Sequence, residues 1–222
     1  MEWAKLVGGA LAGCGHPPQA AERGPTASLA PSLILASSSP RRQELLARLG
    51  IAFTVQPSHL PEEPPPGARP VEAVVALALA KALAIARALP DPGSVVLGAD
   101  TEVVLDGELL GKPRDGADAA RILRRLRGRV HEVITGLALV EVGPRGRQET
   151  AAVTTRVRMA DSADEEIEAY VATGEPFDKA GAYAVQGLGG RLVAEVDGCF
   201  TNVVGLPVET TRRLLQKWGL LA

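Results

Sequence analysis

Aromatic side chains are scarce in this sequence, at 3% of 222 residues, which argues against a protein that grips single-stranded nucleic acid by stacking its bases. Cysteine is nearly absent. Cys14 and Cys199 offer neither a disulfide framework nor a metal-knuckle spacing, so a reducing, cytoplasmic setting is expected. No apolar run approaches the roughly 20 residues of a membrane span. The formal charge is only −2, too small for a polyanion-coating surface, so any phosphate site must be a local cluster of cations. His16, His59 and His131 lie far apart, against a histidine-based zinc site. There is no G-x-x-x-x-G-K-[ST] loop and no G-x-S-x-G elbow, and Gly187-Leu188-Gly189-Gly190 is not a dinucleotide fingerprint. Neither a nucleic acid nor a membrane is an expected partner.

What is present centres on Ser32 to Gly50. Leu33-Ile34-Leu35-Ala36 reads as a short strand. Ser37-Ser38-Ser39 then turns, Ser39 is a good N-cap, and Pro40 suits the first helical position. Leu45, Leu46 and Leu49 form the buried stripe of the helix, which Gly50 stops. Arg41 and Arg42 are out of place there, because two cations in the first turn oppose the helix dipole. A bound anion reverses the sign, since first-turn N–H groups, the hydroxyls of Ser37 and Ser39 and two guanidiniums would all face it. The alternative is a pair of solvated arginines.

Before this stretch, residues 1–31 are rich in small residues with scattered Pro and Gly. Leu11-Ala12-Gly13-Cys14 has the outline of a lipoprotein cleavage site. The start, however, carries Glu2 with only Lys5, and its apolar segment is short and broken by glycine. A flexible N-terminal extension is expected there, with one domain over residues 32–222. Beyond Gly50, strands are expected at 51–55, 94–99, 102–105 and 108–110, the last two joined by an Asp106-Gly107 hairpin turn. Long strands follow at 130–142 and 148–159, and a shorter one at 191–196. Helices are expected at 70–89, at 115–127 with Asp115 as cap, at 164–173 capped near Ser162, and at 207–218. Arg121, Arg124, Arg125 and Arg127 read as a solvated face. His131 reads as a structural histidine.

Lys81 stands alone on the apolar 70–89 helix, either snorkelling to solvent or aimed into a cleft. With Arg41, Arg42, Lys112 and Lys179, and with the loop carboxylates Glu62, Glu63 and Asp100, it makes a set suited to a polyphosphate held through a divalent metal.

Six stretches carry a resemblance: Ser37-Ser38-Ser39-Pro40-Arg41-Arg42, Gly98-Ala99-Asp100-Thr101, Gly111-Lys112-Pro113, His131-Glu132-Val133-Ile134-Thr135-Gly136, Asp178-Lys179-Ala180-Gly181-Ala182-Tyr183 with Gln186-Gly187, and Asn202-Val203-Val204-Gly205-Leu206-Pro207. In this order over about residues 32 to 219, they closely resemble the Maf family of nucleoside triphosphate pyrophosphatases. The resemblance implies an α/β fold of the Maf/inosine-triphosphatase type: a long mixed β-sheet flanked by helices, in two lobes with a central cleft. It implies hydrolysis between the α and β phosphates to a monophosphate and pyrophosphate. Asp100 would be the proton acceptor, with Ser37, Ser39, Arg42, Lys81 and Lys112 on the phosphates. Glu62 and Asp100 would hold a divalent cation, Mg²⁺ or Mn²⁺; the family's acidic residue falls on Leu60-Pro61-Glu62-Glu63, so Glu63 is the alternative. Cys199 stands where the family often has Asp. Arg41, Thr101 and Gln186 match the branch acting on dTTP and UTP, whereas the 7-methyl-GTP branch tends to have an aromatic, a Gln and a Glu. A homodimer is also implied. The rival readings are a 7-methyl-GTP enzyme and a nucleotide-binding regulator without turnover.

Overall fold

The computed structural model describes residues 32–90, 92–144 and 146–222; the expected extension, with Cys14, lies outside them. The opening strand–helix–strand forms as its sequence dictates. Strand β1 (Leu33–Leu35) runs into helix α1 (Pro40–Ala47), with Pro40 in the first turn and the Ser39 hydroxyl accepting from the Arg42 N–H at 3.4 Å. Leu45, Leu46 and Leu49 are buried. Strand β2 (Phe53–Val55) pairs parallel with β1, starting two residues later than its apolar run suggests.

Helix α2 (Pro70–Ala88) lies across one face of a seven-stranded mixed sheet ordered β2-β1-β3-β5-β6-β7, with a short β4 on β3. The remaining strands are β3 (Val95–Leu105), β4 (Glu108–Leu110), β5 (Val130–Glu141), β6 (Gln148–Met159) and β7 (Val193–Asp197). Only the β1 pairings are parallel. The two expected strands at 94–99 and 102–105 are one continuous β3, because Asp100 and Thr101 keep extended pairing with Gly136 and Thr135 of β5.

On the opposite face, two separate apolar clusters divide the molecule into lobes. Leu33, Leu35, Leu97 and Leu137 pack under α1 and helix α6 (Val208–Lys217). Val103, Leu105, Val133 and Val157 pack under helices α3 (Gly116–Leu126) and α4 (Asp164–Ala172). Asp115 caps α3, its carboxylate accepting from the Asp118 N–H at 2.8 Å. Helix α4 is capped next to Ser162. Ala163 holds the cap position, and the Glu166 carboxylate accepts from its N–H at 2.9 Å, so the carboxylate does what a serine hydroxyl was expected to do. The α3 arginines do face solvent, paired with Asp118, Glu108, Asp164 and Glu168.

Two further corrections fall near the C-terminus. The strand expected from Arg191 starts at Val193, because Leu188–Leu192 forms a 3-10 turn instead. The Glu175 carboxylate accepts from the Leu188 N–H (3.0 Å) and the Gly189 N–H (3.2 Å), closing that segment before it can extend. The last helix is preceded by a short additional one, α5 (Phe200–Val204), which ends at Gly205 with φ +125°.

The site is positioned by a gap in the sheet. On the edge of β3 away from β5, β1 stops at the Leu35–Leu97 pair and β4 begins at the Leu110–Val103 pair. Residues Gly98 to Glu102 therefore have no strand beside them on that edge. Along this stretch side chains alternate between faces. Gly98 lies against α2: a Cβ there would sit 2.1 Å from the Ala78 carbonyl oxygen. Gly136 is nearly as tight, a Cβ there meeting the Val74 backbone at 2.4 Å. These two glycines bring α2, and with it Lys81, down onto the strand. Gly98→Ala must push α2 off the sheet. We expect a loss of about 1–3 kcal/mol in denaturant unfolding; an unchanged unfolding midpoint would contradict this packing.

Candidate active site

A cleft of about 590 Å³ opens at the gap, between the two lobes. That volume lies within the range of small-ligand sites. It draws side chains from five segments: Arg42 from α1, Glu62 from the proline-rich loop after β2, Lys81 from α2, Asp100 from β3 and Lys112 from the loop after β4.

On the α2 side stands a chain of opposite charges. The Lys81 Nζ donates to Asp100 Oδ1 at 2.6 Å and to Glu62 Oε1 at 2.7 Å. Both Lys81 and Asp100 are buried, so each charge depends on the other. Lys81 thus reaches into the cleft instead of snorkelling out. Glu62 Oε2 accepts from the Lys112 Nζ, so one carboxylate bridges ammoniums from the two walls. Desolvation would raise the Glu62 carboxyl, but the hydrogen bonds from Lys112 and Lys81 outweigh it and hold it at about 2. Glu62, not Glu63, lines the cleft.

On the other side, Arg42 is held by three bonds. Its Nε donates to the Gly205 carbonyl at 2.9 Å, Nη1 to Ser37 Oγ at 3.3 Å and Nη2 to Thr101 Oγ1 at 3.0 Å. These use three of the five donors of a guanidinium. Burial pushes its ionisation down, opposed by the nearby charges of Asp100 and Glu62. Ser37 Oγ also accepts from the Ser39 N–H at 3.2 Å, which leaves its own proton for an acceptor in the cleft. Thr101 turns its hydroxyl to Arg42 and to Thr135 Oγ1 at 2.9 Å. Its direct work is therefore to seat Arg42. Thr135 passes the network on to the Asn202 carbonyl, and Asn202 Nδ2 donates to the Val133 carbonyl and to Thr155 Oγ1, both at 2.9 Å. Cys199 joins through its N–H to Thr155 Oγ1 at 3.1 Å.

Arg41 and Gln186 also line the cleft, Arg41 half-buried and Gln186 exposed. Lys179 lines it too, with its Nζ on the Glu175 carbonyl at 2.7 Å and on the Asp178 carboxylate. His131 is structural: its Nε2 lies 2.8 Å from the Tyr183 hydroxyl, and burial pushes it down to about 4. Tyr183 in turn anchors the cleft wall that carries Gln186.

One residue of the cleft was not anticipated from the sequence. Glu102 lies two positions beyond Asp100, on the same face of β3. Its Oε2 is buried without a partner, as is Asp100 Oδ2. Burial, then the charges of Asp100 and Glu62, push the Glu102 carboxyl up to about 8. The available signal was the spacing Asp100-x-Glu102, which places two acids on one strand face.

Among the described residues, no three acidic, histidine or cysteine side chains form a preformed metal cage. Mg²⁺ does not need one, since it commonly takes one or two carboxylates and completes its shell with water and substrate phosphates. Hard carboxylate oxygens, two of them buried and lacking donors, fit such an ion.

Fold and site together define an α/β protein with a phosphate-handling cleft, in which cations from separate segments surround a strand-borne acid. The chain belongs to the Maf family: the Maf-like protein family matches residues 32–218. Proteins named dTTP/UTP pyrophosphatase are similar to it over nearly their whole length. That of Moorella thermoacetica is 53% identical over 192 residues, covering 85% of this chain and 95% of the relative. That of Anaeromyxobacter dehalogenans is 51% identical over 192 residues, covering 86% and 96%. That of Geobacter metallireducens is 53% identical over 189 residues, covering 85% and 97%. Among solved structures, a HAM1 protein from Coxiella burnetii shares the fold at 18% identity, with a TM-score of 0.50 over 84% of this chain and 99% of that one. No helix among the described residues is long and apolar enough to cross a membrane.

The Glu102 environment gives a pH prediction. Its folded-state ionisation at about 8 lies above the ordinary 4.5, so in metal-free buffer its contribution is intact below pH 4.5 and is lost as pH rises toward 8. Glu102→Gln carries no such proton. The stability of the variant relative to the parent should therefore rise between about pH 5 and pH 8, measured by denaturant unfolding at several pH values. A difference that does not vary with pH would contradict the burial described.

Proposed function

We propose that this chain hydrolyses dTTP and UTP to the nucleoside monophosphate and pyrophosphate. The observation that carries the reading is the convergence of Arg42, Lys81 and Lys112 on one cleft beside Asp100. The names of its relatives at about half identity supply the substrates.

In this reading Asp100 is the proton acceptor for the attacking water. Lys81 holds its Oδ1, so the carboxylate is oriented and Oδ2 remains to take the proton. Attack at the α-phosphorus breaks the bond to the β-phosphate oxygen, and negative charge grows on the departing pyrophosphate. Arg42, fixed by Ser37, Thr101 and Gly205, keeps two N–H donors for phosphate oxygens. Lys81 and Lys112 exchange the Glu62 carboxylate for phosphate, so one anionic partner replaces another and no ammonium is left unpaired. Ser37 and Ser39 add the first turn of α1, whose N–H groups favour an anion. A divalent cation, Mg²⁺ or Mn²⁺, would be held by Asp100 and Glu62 and would supply charge neutralisation to the triphosphate.

Arg41 and Gln186 line the cleft, and Thr101 holds Arg42 within it. These three positions are assigned the choice of pyrimidine. A homodimer and a cytoplasmic location belong to the same proposal and rest on the family resemblance and the composition.

The test is pyrophosphate release across a panel of nucleoside triphosphates, with Mg²⁺ and with EDTA. We expect dTTP and UTP to be hydrolysed fastest and only with the metal. Asp100→Asn should lower kcat by about 10²–10⁴ with nucleotide affinity little changed. Preference for 7-methyl-GTP, or nucleotide binding without release, would replace this reading. Full turnover by Asp100→Asn would remove Asp100 from its role.

A further inference from the structure

Four carboxylates line the cleft; Asp178 is paired with Lys179, and the oxygens of the other three are unequally committed. Glu62 has both oxygens on ammoniums, Oε1 on Lys81 and Oε2 on Lys112. Asp100 has Oδ1 on Lys81, which leaves Oδ2 alone. The reaction asks two things of that one atom: to accept a proton from water and to help hold a cation. Glu102 has no such conflict. Its Oε2 is buried without a partner, on the same strand face as Asp100.

Burying a carboxylate oxygen without a donor is costly, and the nearby Asp100 charge adds to the cost of ionising Glu102. Asp100 is itself only 3% exposed, so water does not relieve it. Nothing in the packing requires an acid at position 102. The next residue toward α2 on this face is Val104, which packs in an apolar cluster with Val74 and Ile134. A glutamate at the lip of that cluster is explained by what it faces, the cleft. Lys81 and Lys112 are close enough to act on Glu102 through charge, yet both are already hydrogen-bonded to other carboxylates.

Resting on the pyrophosphatase reading, we propose that Glu102 is a direct ligand of the divalent cation in this protein, joining Asp100 as a pair spaced i, i+2 on β3. Two carboxylates from one rigid strand, with waters and phosphate oxygens completing the shell, match the needs of Mg²⁺ or Mn²⁺. The arrangement frees Glu62 to act as the counter-ion that Lys81 and Lys112 release to substrate. It also relieves Asp100 of serving as the cation's sole strand-borne ligand.

The test is Mn²⁺ binding to the full chain without nucleotide, read from the electron paramagnetic resonance signal of free Mn²⁺. The parent should bind one Mn²⁺, and Glu102→Gln should bind it at least about tenfold more weakly, because a charged ligand is lost. In parallel, the Mn²⁺ concentration for half-maximal dTTP hydrolysis should rise about as much in Glu102→Gln, with kcat recovering at saturating Mn²⁺. Equal Mn²⁺ affinity in parent and variant overturns the proposal, as does a parent that binds no Mn²⁺ without nucleotide. Glu102→Gln is close in shape and replaces a buried, unpartnered carboxyl with a neutral amide, so it should fold. If it does not, Glu102→Asp is read in its place: it keeps the charge but shortens the arm, and weaker Mn²⁺ binding supports the proposal while unchanged binding overturns it. A parent that binds Mn²⁺ through Glu102 but releases no pyrophosphate from any triphosphate would sink the enzymatic reading and leave the ligand assignment standing.

Discussion

A single buried ammonium organises the cleft. Lys81 Nζ lies 2.6 Å from Asp100 and 2.7 Å from Glu62, in the interior of a helix whose other charges, Glu72 and Arg87, sit in its end turns. A lone charge in that position would be expelled or neutralised; a paired one can stay. The pairing works because α2 is built largely of alanine along its buried face, with Ala78 and Ala82 against Gly98, so the helix axis sits low on the sheet. Larger side chains there would lift Lys81 away from Asp100. The small residues of α2, the glycines of β3 and β5, and the charge of Asp100 are thus parts of one requirement.

The second determinant is the gap in the sheet. Because β1 ends at Leu35 and β4 reaches back along β3 only to the Leu110–Val103 pair, the middle of β3 has an open edge, and both of its faces look into the same cleft. Asp100 and Glu102 serve the α2 side, and Thr101 serves the α1 side, where it meets Arg42. Alternation along one strand therefore sorts acid from cation anchor. The two apolar clusters on the opposite face fix the walls independently, one beneath α1 and α6 and one beneath α3 and α4. Glu62 spans the walls, from Lys81 at the cleft floor to Lys112 on the loop after β4.

Much of this was legible in the sequence, for reasons that can be stated. Local rules fixed α1: a serine cap, a proline in the first turn and a leucine stripe all agree, and the oddity of Arg41 and Arg42 pointed at an anion. Asp100 stood out as an acid ending an apolar strand-type run. Lys81 and Lys112 already stood in the set of cations that the residues offer, and the family resemblance gave them a phosphate role that spacing alone could not. Glu102 was missed because β3 is buried on both faces along most of its length, which hides the two-residue period that would have grouped it with Asp100. The choice between Glu62 and Glu63 needed the path of a proline-rich loop, which no periodicity encodes. The 3-10 turn at 188–192 was hidden because its partner, Glu175, is remote in sequence.

Lys81 and Lys112 form one seat for phosphate, held in this structure by Glu62. Calorimetric binding of inorganic pyrophosphate in metal-free buffer tests it most directly. Opposite signs are expected: tighter binding to Glu62→Gln, which removes the carboxylate charge that both ammoniums share, and weaker binding to Lys112→Met, which removes one ammonium. Unchanged affinity in both variants, or a shift in the same direction, would contradict it.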